Sequence, residues 1–408
     1  MRQVFLFFFL ITFSNASSQE ENHEDFSEVS GYIGSFVKSS SLGANKDSYG
    51  TLNFSGILSH KPHKDVVLSL GVFGALALLS DPKENIKDYS RASYVNNKGF
   101  LHYQSNNFSA QLGRFESNLD WLGEHIQGSL LDYKQDLTQS TNLRIYAAYA
   151  NEQAHINREE QSNFEEFQKE YNSKDMIVIG VQIGNKTSSI GLYEYHFVDI
   201  FNTAGANIYL QIPFSLAWSL QALSHFAYSH SLMPLLRAPE NAFFHGEKDI
   251  GHTYLGFVRI SMHYKESFIT GLGWVKIGEK DFINAYLGNK FVFEADDHTP
   301  FLFNVIAPGG WHNGSNATNM FYGQTESFYG FGAFKLENLS FNLHIRQSNG
   351  IKIRTHGGKQ TQISVGVGFM TSNSWNLGAV AVYMRQERRT SANSINSSYF
   401  KTFIEYAF

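Results

Sequence analysis

Apolar and polar residues alternate along short segments that begin near Val29 and continue to the C-terminus. In the clearest segment, 361–370, four apolar residues alternate with polar or small ones: Ile363, Val365, Val367 and Phe369 against Gln362, Ser364, Gly366 and Gly368. Alternation with a period of two is typical of strands whose two faces meet different surroundings. The pattern predicts an all-β chain of about eighteen strands.

Short and long connections alternate between these predicted strands. The short ones are 60–64, 105–106, 136–141, 185–187, the join at Pro213, 265–266, 337–338 and 371–373. The long ones are 39–48, 78–97, 115–127, 151–175, 198–205, 224–251, 279–327, 348–360 and 385–397. All seven prolines fall in these connections, where a missing backbone donor harms no ladder. Such alternation is typical of transmembrane barrels.

The physics of a bilayer then fixes the architecture. In hydrocarbon every backbone donor and acceptor must be paired internally, so alternating strands can span only as a closed barrel. Each spanning strand needs about 9 to 11 residues, tilted by about 45°. We therefore predict a transmembrane antiparallel β-barrel of about 18 strands (16 to 18), with short periplasmic turns, long extracellular loops and both chain ends in the periplasm.

The composition agrees with a barrel and excludes several other classes. Charged residues make up 17% of the 408 residues and aromatic residues 15%, because one face of every strand avoids charge while interfacial girdles use aromatic rings. The chain has no cysteine, which excludes disulfides and thiol chemistry. A net charge of −5 provides no basic footprint for nucleic acid, and no motif predicts a cofactor.

Both ends of the sequence carry export features. Residues 1–16 have a basic start, an apolar core at 4–13 and small residues at 14–16, which predicts a signal peptide followed by a barrel over 17–408. The last strand ends in an aromatic residue and resembles the assembly signal of outer-membrane barrels, with one face formed by Phe400, Ile404, Tyr406 and Phe408. We expect the bacterial outer membrane as location, and its lipid and the barrel assembly machinery as partners. Monomer and homotrimer both stay open.

Two stretches carry a family resemblance. Residues 111–121 (QLGRFESNLDW) with 127–133 (QGSLLDY) resemble the strand, inserted loop and next strand of Opr-type porins, especially the Hof group of outer-membrane proteins of Helicobacter and its relatives. Residues 201–207 (FNTAGAN) resemble another conserved segment of that family. The resemblance implies a diffusion porin for small hydrophilic solutes, whose third long loop folds into the barrel.

The third long loop and the strand parity supply the candidate pore residues. Loop 3, over 115–127, holds Glu116, Asp120, Trp121 and Glu124, which we expect at the constriction. Carboxylates there would face basic residues on the wall and orient charged solutes between them. Parity predicts four basic side chains in the lumen, because a charge on the lipid face costs about 2 to 4 kcal/mol near the midplane: Arg144, Arg259, Arg346 and Lys401.

Other functions find weaker support in the sequence. His344 and Ser348 resemble an outer-membrane phospholipase motif, but they lie four residues apart, roughly 13 Å along a strand, which is too far for an imidazole to reach a hydroxyl. The pairs His60/His63 and His245/His252 have no evident third metal ligand. Binding of a host or phage by the long loops is compatible with a pore. We predict a passive porin that converts nothing chemically.

Overall fold

A computed structural model describes residues 26–42, 45–80, 94–117, 119–122, 125–154, 156, 164–167, 175–232, 236–238, 246–248, 251–265, 267–282, 321–353, 356–371, 374–388 and 394–408. The predicted signal peptide lies outside these residues. Within the described ranges, no helix is long and apolar enough to cross a membrane.

Eighteen long strands form one sheet. They are β1 (Phe26–Leu42), β2 (Asn45–His63), β3 (Val66–Ser80), β4 (Tyr94–Gln104), β5 (Phe108–Glu116), β6 (His125–Asp136), β7 (Asn142–Ala154), β8 (Met176–Gly184), β9 (Ser188–Phe197), β10 (Phe201–Pro213), β11 (Trp218–Ser231), β12 (Thr253–Tyr264), β13 (Phe268–Ile277), β14 (Glu326–Leu336), β15 (Leu339–Ile353), β16 (His356–Thr371), β17 (Trp375–Arg388) and β18 (Ser394–Ala407). A short strand, Glu165–Glu166, adds to β7, and Leu236–Ala238 pairs with Gly246–Lys248.

The sheet closes on itself. Every long strand is antiparallel to the next one, and β18 pairs with β1 from Ala407 opposite Tyr32 to Ser397 opposite Leu42. The terminal residue extends this seam, because Phe408 and Gly31 exchange two backbone hydrogen bonds of 2.9 and 3.0 Å. The prediction of a closed antiparallel barrel of about 18 strands is confirmed.

The period of two separates the inside of the barrel from the outside. On β16, Ile363 and Val365 are exposed on the outer face, while Gln362 and Ser364 are buried on the inner face. The last strand behaves in the same way: four residues of its outer face, Phe400, Ile404, Tyr406 and Phe408, are exposed, whereas Lys401 and Phe403 point inward. An apolar outer face matches the hydrocarbon that surrounds it.

Aromatic pairs gather at one end of the barrel, which we call the turn end because its connections are short. They join neighbouring strands: Tyr103 with Phe108, Trp218 with Tyr264, Phe334 with Phe341 and Trp375 with Tyr406, with ring centroids 4.8 to 6.3 Å apart. Rings in this position form the aromatic girdle of a membrane interface. The aromatic excess of the composition thus has a structural place.

The opposite end, the loop end, differs from the prediction in four places. Residues 39–48 and 348–360 are mostly strand, since pairing continues to Leu42 opposite Asn45 and to Ile353 opposite His356. Only 198–200 separate β9 from β10, and only 389–393 separate β17 from β18. The prediction of nine long loops was therefore wrong at these connections. We attribute the first two errors to strands that continue beyond the bilayer, where polar residues suit both faces and alternation disappears.

Two prolines also lie in strands rather than in connections. Pro62 falls within the register shift between His60 and His63 near the end of β2, and Pro213 is the last residue of β10. Both positions tolerate a residue that cannot donate a ladder hydrogen bond.

The strands of the barrel wall differ in length: β15 and β16 have 15 and 16 residues, while β8 and β9 have 9 and 10.

Candidate channel interior

Loop 3 is shorter than predicted and folds into the barrel. Phe115 and Glu116 end β5, and His125 begins β6, so the connection comprises 117–124. A bridge between Leu119 and Leu122 closes a tight turn, in which Leu119, Trp121 and Leu122 are buried. The loop contacts Tyr193 and Tyr195 of β9. Both residues point inward, since Leu192 between the inward positions is exposed on the outer face, so the loop packs on the inner wall.

Trp121 is the centre of this contact. Its ring is fully buried, its indole Nε1 donates to Tyr193 Oη at 2.8 Å, and its backbone N–H donates to Tyr195 Oη at 3.3 Å. The ring also meets Phe282 edge-on at a centroid distance of 5.1 Å. Trp121, which was expected at the constriction, is therefore buried and anchors loop 3 to the wall.

Asp120 is partly exposed and is held from the wall. Its Oδ2 accepts a hydrogen bond of 2.8 Å from Asn207 Nδ2 on β10. Asn207 closes the segment 201–207, which carried part of the family resemblance. A Cβ atom at Gly191 would lie 2.5 Å from Asn207 Oδ1, so a glycine on β9 makes room for this side chain.

Of the two glutamates of the expected constriction, the structure describes Glu116. Glu116 is exposed at the end of β5 and acts electrostatically on Lys98 of β4. The Lys98 ammonium donates to Ser55 Oγ at 2.6 Å. Glu124 lies outside the described residues. Asp120 of loop 3 contacts a side chain of β10, and Glu116 at the end of β5 acts on a side chain of β4.

The four basic residues expected in the lumen all lie on the inner face. Arg144 is paired: its Nε donates to Asp132 Oδ2 at 2.7 Å and its guanidinium forms an ion pair with the same carboxylate. Arg259 is 8% exposed between Val258 and Ile260, which are exposed on the outer face. Arg346 is fully buried, and its Nη2 donates to Gln360 Oε1 at 2.6 Å.

Lys401 has a neighbour that the sequence reasoning missed. Lys401 lies opposite Lys38 across the closing seam of β1 and β18, and both side chains are buried on the inner face. The Lys38 ammonium lies 4.9 Å from the Tyr399 ring centroid and 5.9 Å from that of Tyr49, which are cation–π distances. The alternation of Phe36, Val37 and Lys38 could have identified Lys38 as an inward cation.

A large apolar cluster occupies the inner wall around loop 3. It contains residues from loop 3, from β5 to β14 and from the connection between β13 and β14: Phe115, Leu119, Trp121, Leu122, Ile126, Ala148, Ala150, Phe167, Met176, Val178, Tyr193, Tyr195, Phe197, Ile200, Phe201, Ala227, Leu255, Phe257, Val275, Ile277, Phe282, Phe321 and Tyr329. Sequence reasoning missed Tyr193 and Tyr195 in this role, because alternation gives the side of a strand and not its neighbours. The interior is therefore part packed core and part polar wall.

The phospholipase-like pair does not form a catalytic dyad. His344 and Ser348 are both buried on the inner face of β15, but Ser348 Oγ shares a hydrogen bond of 2.7 Å with Ser327 Oγ. Neither ring nitrogen of His344 has a hydrogen-bond partner in the described chain. The arrangement therefore lacks the base-to-hydroxyl contact that nucleophilic catalysis needs.

The histidine pairs of the sequence are not brought together with further ligands. His60 contacts Ser27, His63 lies near Asp65, and His252 contacts His230, whereas His245 lies outside the described residues. Where the structure describes side chains, no group of three or more His, Cys, Asp or Glu residues could hold a metal ion.

Comparisons with known proteins agree with this geometry. The profile of a family described as "Putative outer membrane protein" matches residues 17–212, slightly less than half of the 408 residues. The chain is an outer-membrane β-barrel. No curated protein matches its sequence. Solved structures match its fold, at 9 to 12% sequence identity for the three described next.

Three solved structures illustrate the likeness. OccK8 (OprE) of Pseudomonas aeruginosa is 9% identical with a TM-score of 0.68, over 94% of this chain and 98% of that one. OccAB4 of Acinetobacter baumannii is 12% identical with a TM-score of 0.66, over 94% and 99%. A BenF-like porin from Pseudomonas fluorescens Pf-5 is 12% identical with a TM-score of 0.66, over 94% and 98%. At such identity the likeness shows the fold of the barrel.

Proposed function

We propose that this barrel is a porin, which lets small hydrophilic, charged solutes diffuse passively across the outer membrane. The observation that carries the proposal is the inner face. It places basic side chains from β7, β12, β15 and β18 inside a closed barrel, and loop 3 packs against the inner wall at Tyr193 and Tyr195. A barrel of 18 strands is wide enough to enclose an aqueous channel.

The comparisons support the same function. The solved structures include porins, and one, OpdK of Pseudomonas aeruginosa, was solved with vanillate; it is 13% identical with a TM-score of 0.64, over 93% of this chain and 98% of that one. We extend passage of a small solute to this chain on the strength of the shared fold. The Opr-type and Hof-like resemblance of 111–133 and 201–207 favours the same assignment.

We infer that loop 3 forms the acidic side of a constriction. Asp120 and Glu116 would face the basic wall, and Glu124 would add a third carboxylate. The hydrogen bond from Asn207 supports this role because it fixes where the Asp120 carboxylate sits. In this proposal Arg259, Arg346 and Lys401 form the basic side, while Arg144 contributes less because Asp132 balances its charge.

Export and assembly complete the proposal. We propose that 1–16 is a signal peptide and that the outward aromatic residues of β18 are recognised by the barrel assembly machinery. The exposed apolar outer face would contact outer-membrane lipid. The protein would be a monomer or a homotrimer. Host or phage binding by the long loops stays a prediction.

Single-channel recording tests the porin proposal directly. Purified, refolded full-length chain is added to planar lipid bilayers in potassium chloride. We expect discrete current steps that persist at constant voltage, because a passive channel needs no energy source. Heat-modifiable migration on a gel would verify folding in the same preparation. Folded protein that inserts but yields no discrete steps would overturn the proposal.

A further inference from the structure

The inner wall formed by β14, β15 and β16 holds polar groups that have no partner. Asn342 and His344 on β15 are 4% and 0% exposed, and all of their side-chain nitrogen and oxygen atoms lack a hydrogen bond in the described chain. Ser340 Oγ and Gln362 Oε1 are buried and unpaired in the same way. We call these four residues the polar patch.

The register makes the polar patch continuous across neighbouring strands. His344 lies opposite Ser364, and Asn342 lies opposite Gly366, on the adjoining strand β16. A Cβ atom at Gly366 would lie 2.4 Å from Asn342 Oδ1, so this glycine allows the amide to lie across β16. The four residues therefore form one continuous buried stretch on the inner face of two neighbouring strands.

Aromatic rings border the polar patch on β14. The Tyr329 ring lies 5.6 Å from the His344 ring and 6.2 Å from the Phe331 ring, measured between centroids. The Tyr329 hydroxyl also lacks a hydrogen bond in the described part of the chain. On the other border, Arg346 Nη2 donates to Gln360 Oε1 and Ser348 Oγ is paired with Ser327 Oγ.

Unpaired buried polar groups cost free energy, so this wall becomes more stable when a molecule that satisfies them enters. The chemistry of the unpaired atoms limits which molecule this is. An amide offers two donors and one acceptor oxygen, and a neutral imidazole offers one donor and one acceptor. A carboxylate only accepts hydrogen bonds and would leave the acceptors of Asn342, His344 and Gln362 unpaired. A hydroxyl group both donates and accepts.

We propose that the polar patch with Tyr329 and Phe331 binds a polyhydroxylated, sugar-like solute inside the barrel. The hydroxyl groups of the solute would pair with Asn342, His344 and Gln362, and its apolar C–H face would pack on the rings. This inference rests on the proposed porin function, because the solute reaches the wall through the channel.

Block of the ionic current by glucose tests this site. The full-length protein is recorded in planar bilayers while glucose is titrated, with succinate as a solute that only accepts hydrogen bonds at neutral pH. The variant Asn342→Leu removes the amide from the polar patch. The matched control is Asn53→Leu, which makes the same change at another buried, inward position, on β2.

We expect glucose to reduce the current of the native protein in a saturable way. Asn342→Leu should raise the half-blocking concentration by about fivefold, as for a lost hydrogen bond, while Asn53→Leu changes it by less than about twofold. A second variant, His344→Phe, should act like Asn342→Leu if the first one folds poorly.

Several results would overturn the site. Saturable block by succinate without block by glucose would assign this wall to carboxylates. Equal weakening by Asn342→Leu and Asn53→Leu would show that glucose binds elsewhere. In both cases discrete channels are still present, so the porin proposal survives. Folded protein without any channels would instead remove the porin proposal itself.

Discussion

The two halves of the barrel interior use the same strand pattern for different purposes. On the half around β8 to β13, inward residues such as Tyr195 and Phe257 are buried in the apolar cluster beneath loop 3. On β15 and β16, inward residues such as His344, Gln362 and Ser364 are polar, whereas inward residues of β17 and β18 join a second, smaller apolar cluster with β1 and β2. The first region is an apolar core, and β15 and β16 form a polar section of the wall.

This difference shows that an inward position in a barrel does not specify a polar side chain. Hydrocarbon requires apolar side chains on the outer face of every strand, but the groups that pack against the inner face determine which side chains are favoured there. Beneath loop 3 the neighbour is Trp121, so tyrosine and phenylalanine are favoured. Away from loop 3 a polar side chain suits the space. Variants that detach loop 3 or change its charge can test this division.

Trp121→Ala should have the largest effect, because it removes the anchor of loop 3. Truncation of a buried tryptophan costs about 3 to 5 kcal/mol, and here its ring contacts Tyr193 on the wall and Phe282 in the connection between β13 and β14. We expect single-channel conductance to rise by about twofold as loop 3 leaves the lumen. Trp375→Ala, at an exposed position of the girdle, is the matched control. Unchanged conductance in folded Trp121→Ala would refute the anchor.

Tyr193→Phe should loosen loop 3 without emptying the cluster. The change leaves the buried Trp121 Nε1–H without its acceptor, which costs about 1 to 3 kcal/mol. We expect more frequent open-state noise at an otherwise native conductance. Tyr254→Phe, on the exposed outer face of β12, serves as the control. A noise spectrum identical to that of the native channel would mean that packing alone holds the loop.

Asp120→Asn tests the charge of loop 3 rather than its position. The amide oxygen can still accept from Asn207, so the loop should stay in place while one negative charge is lost. We expect the reversal potential in a salt gradient to move toward anion selectivity by several millivolts. Asp199→Asn, in the turn between β9 and β10, removes the same charge outside the barrel lumen. The same shift in both variants would exclude a specific effect of loop 3.

Lys401→Met should have the smallest effect and the opposite sign. It removes one of two ammonium groups that face each other across the closing seam, and Lys38 keeps the other. We expect a slight shift of the reversal potential toward cations. Lys64→Met, in an exposed turn, is the control. A shift toward anions would show that Lys401 does not lie along the ion path.

The sequence predicts the barrel well because the bilayer acts on every strand in the same way. The outward position of Ile363 and the inward position of Arg259 follow from alternation alone. Beyond the bilayer, apolar and polar residues no longer need to alternate. For this reason 39–48 was predicted as a loop, although β1 and β2 continue to pair there.

The interior is harder to predict because parity assigns a side chain to a face and says nothing about its partner. Trp121 was expected to line the pore, yet it is buried against Tyr193, which lies 72 residues away in the sequence. Arg144 faces inward as expected, and it is also paired with Asp132 on the neighbouring strand β6. Such contacts depend on the register between strands, which a single sequence does not reveal.

The unequal lengths of the strands give the barrel an oblique mouth. β8 and β9 have 9 and 10 residues, while β15 and β16, nearly opposite, have 15 and 16. With about 3.3 Å per residue and the usual strand tilt, one lip stands about 15 Å above the other. The low lip adjoins the strands that hold loop 3, and the high lip continues the wall of the polar patch. The strand wall therefore encloses the loop end more deeply on the side of β15 and β16 than on the side of β8 and β9.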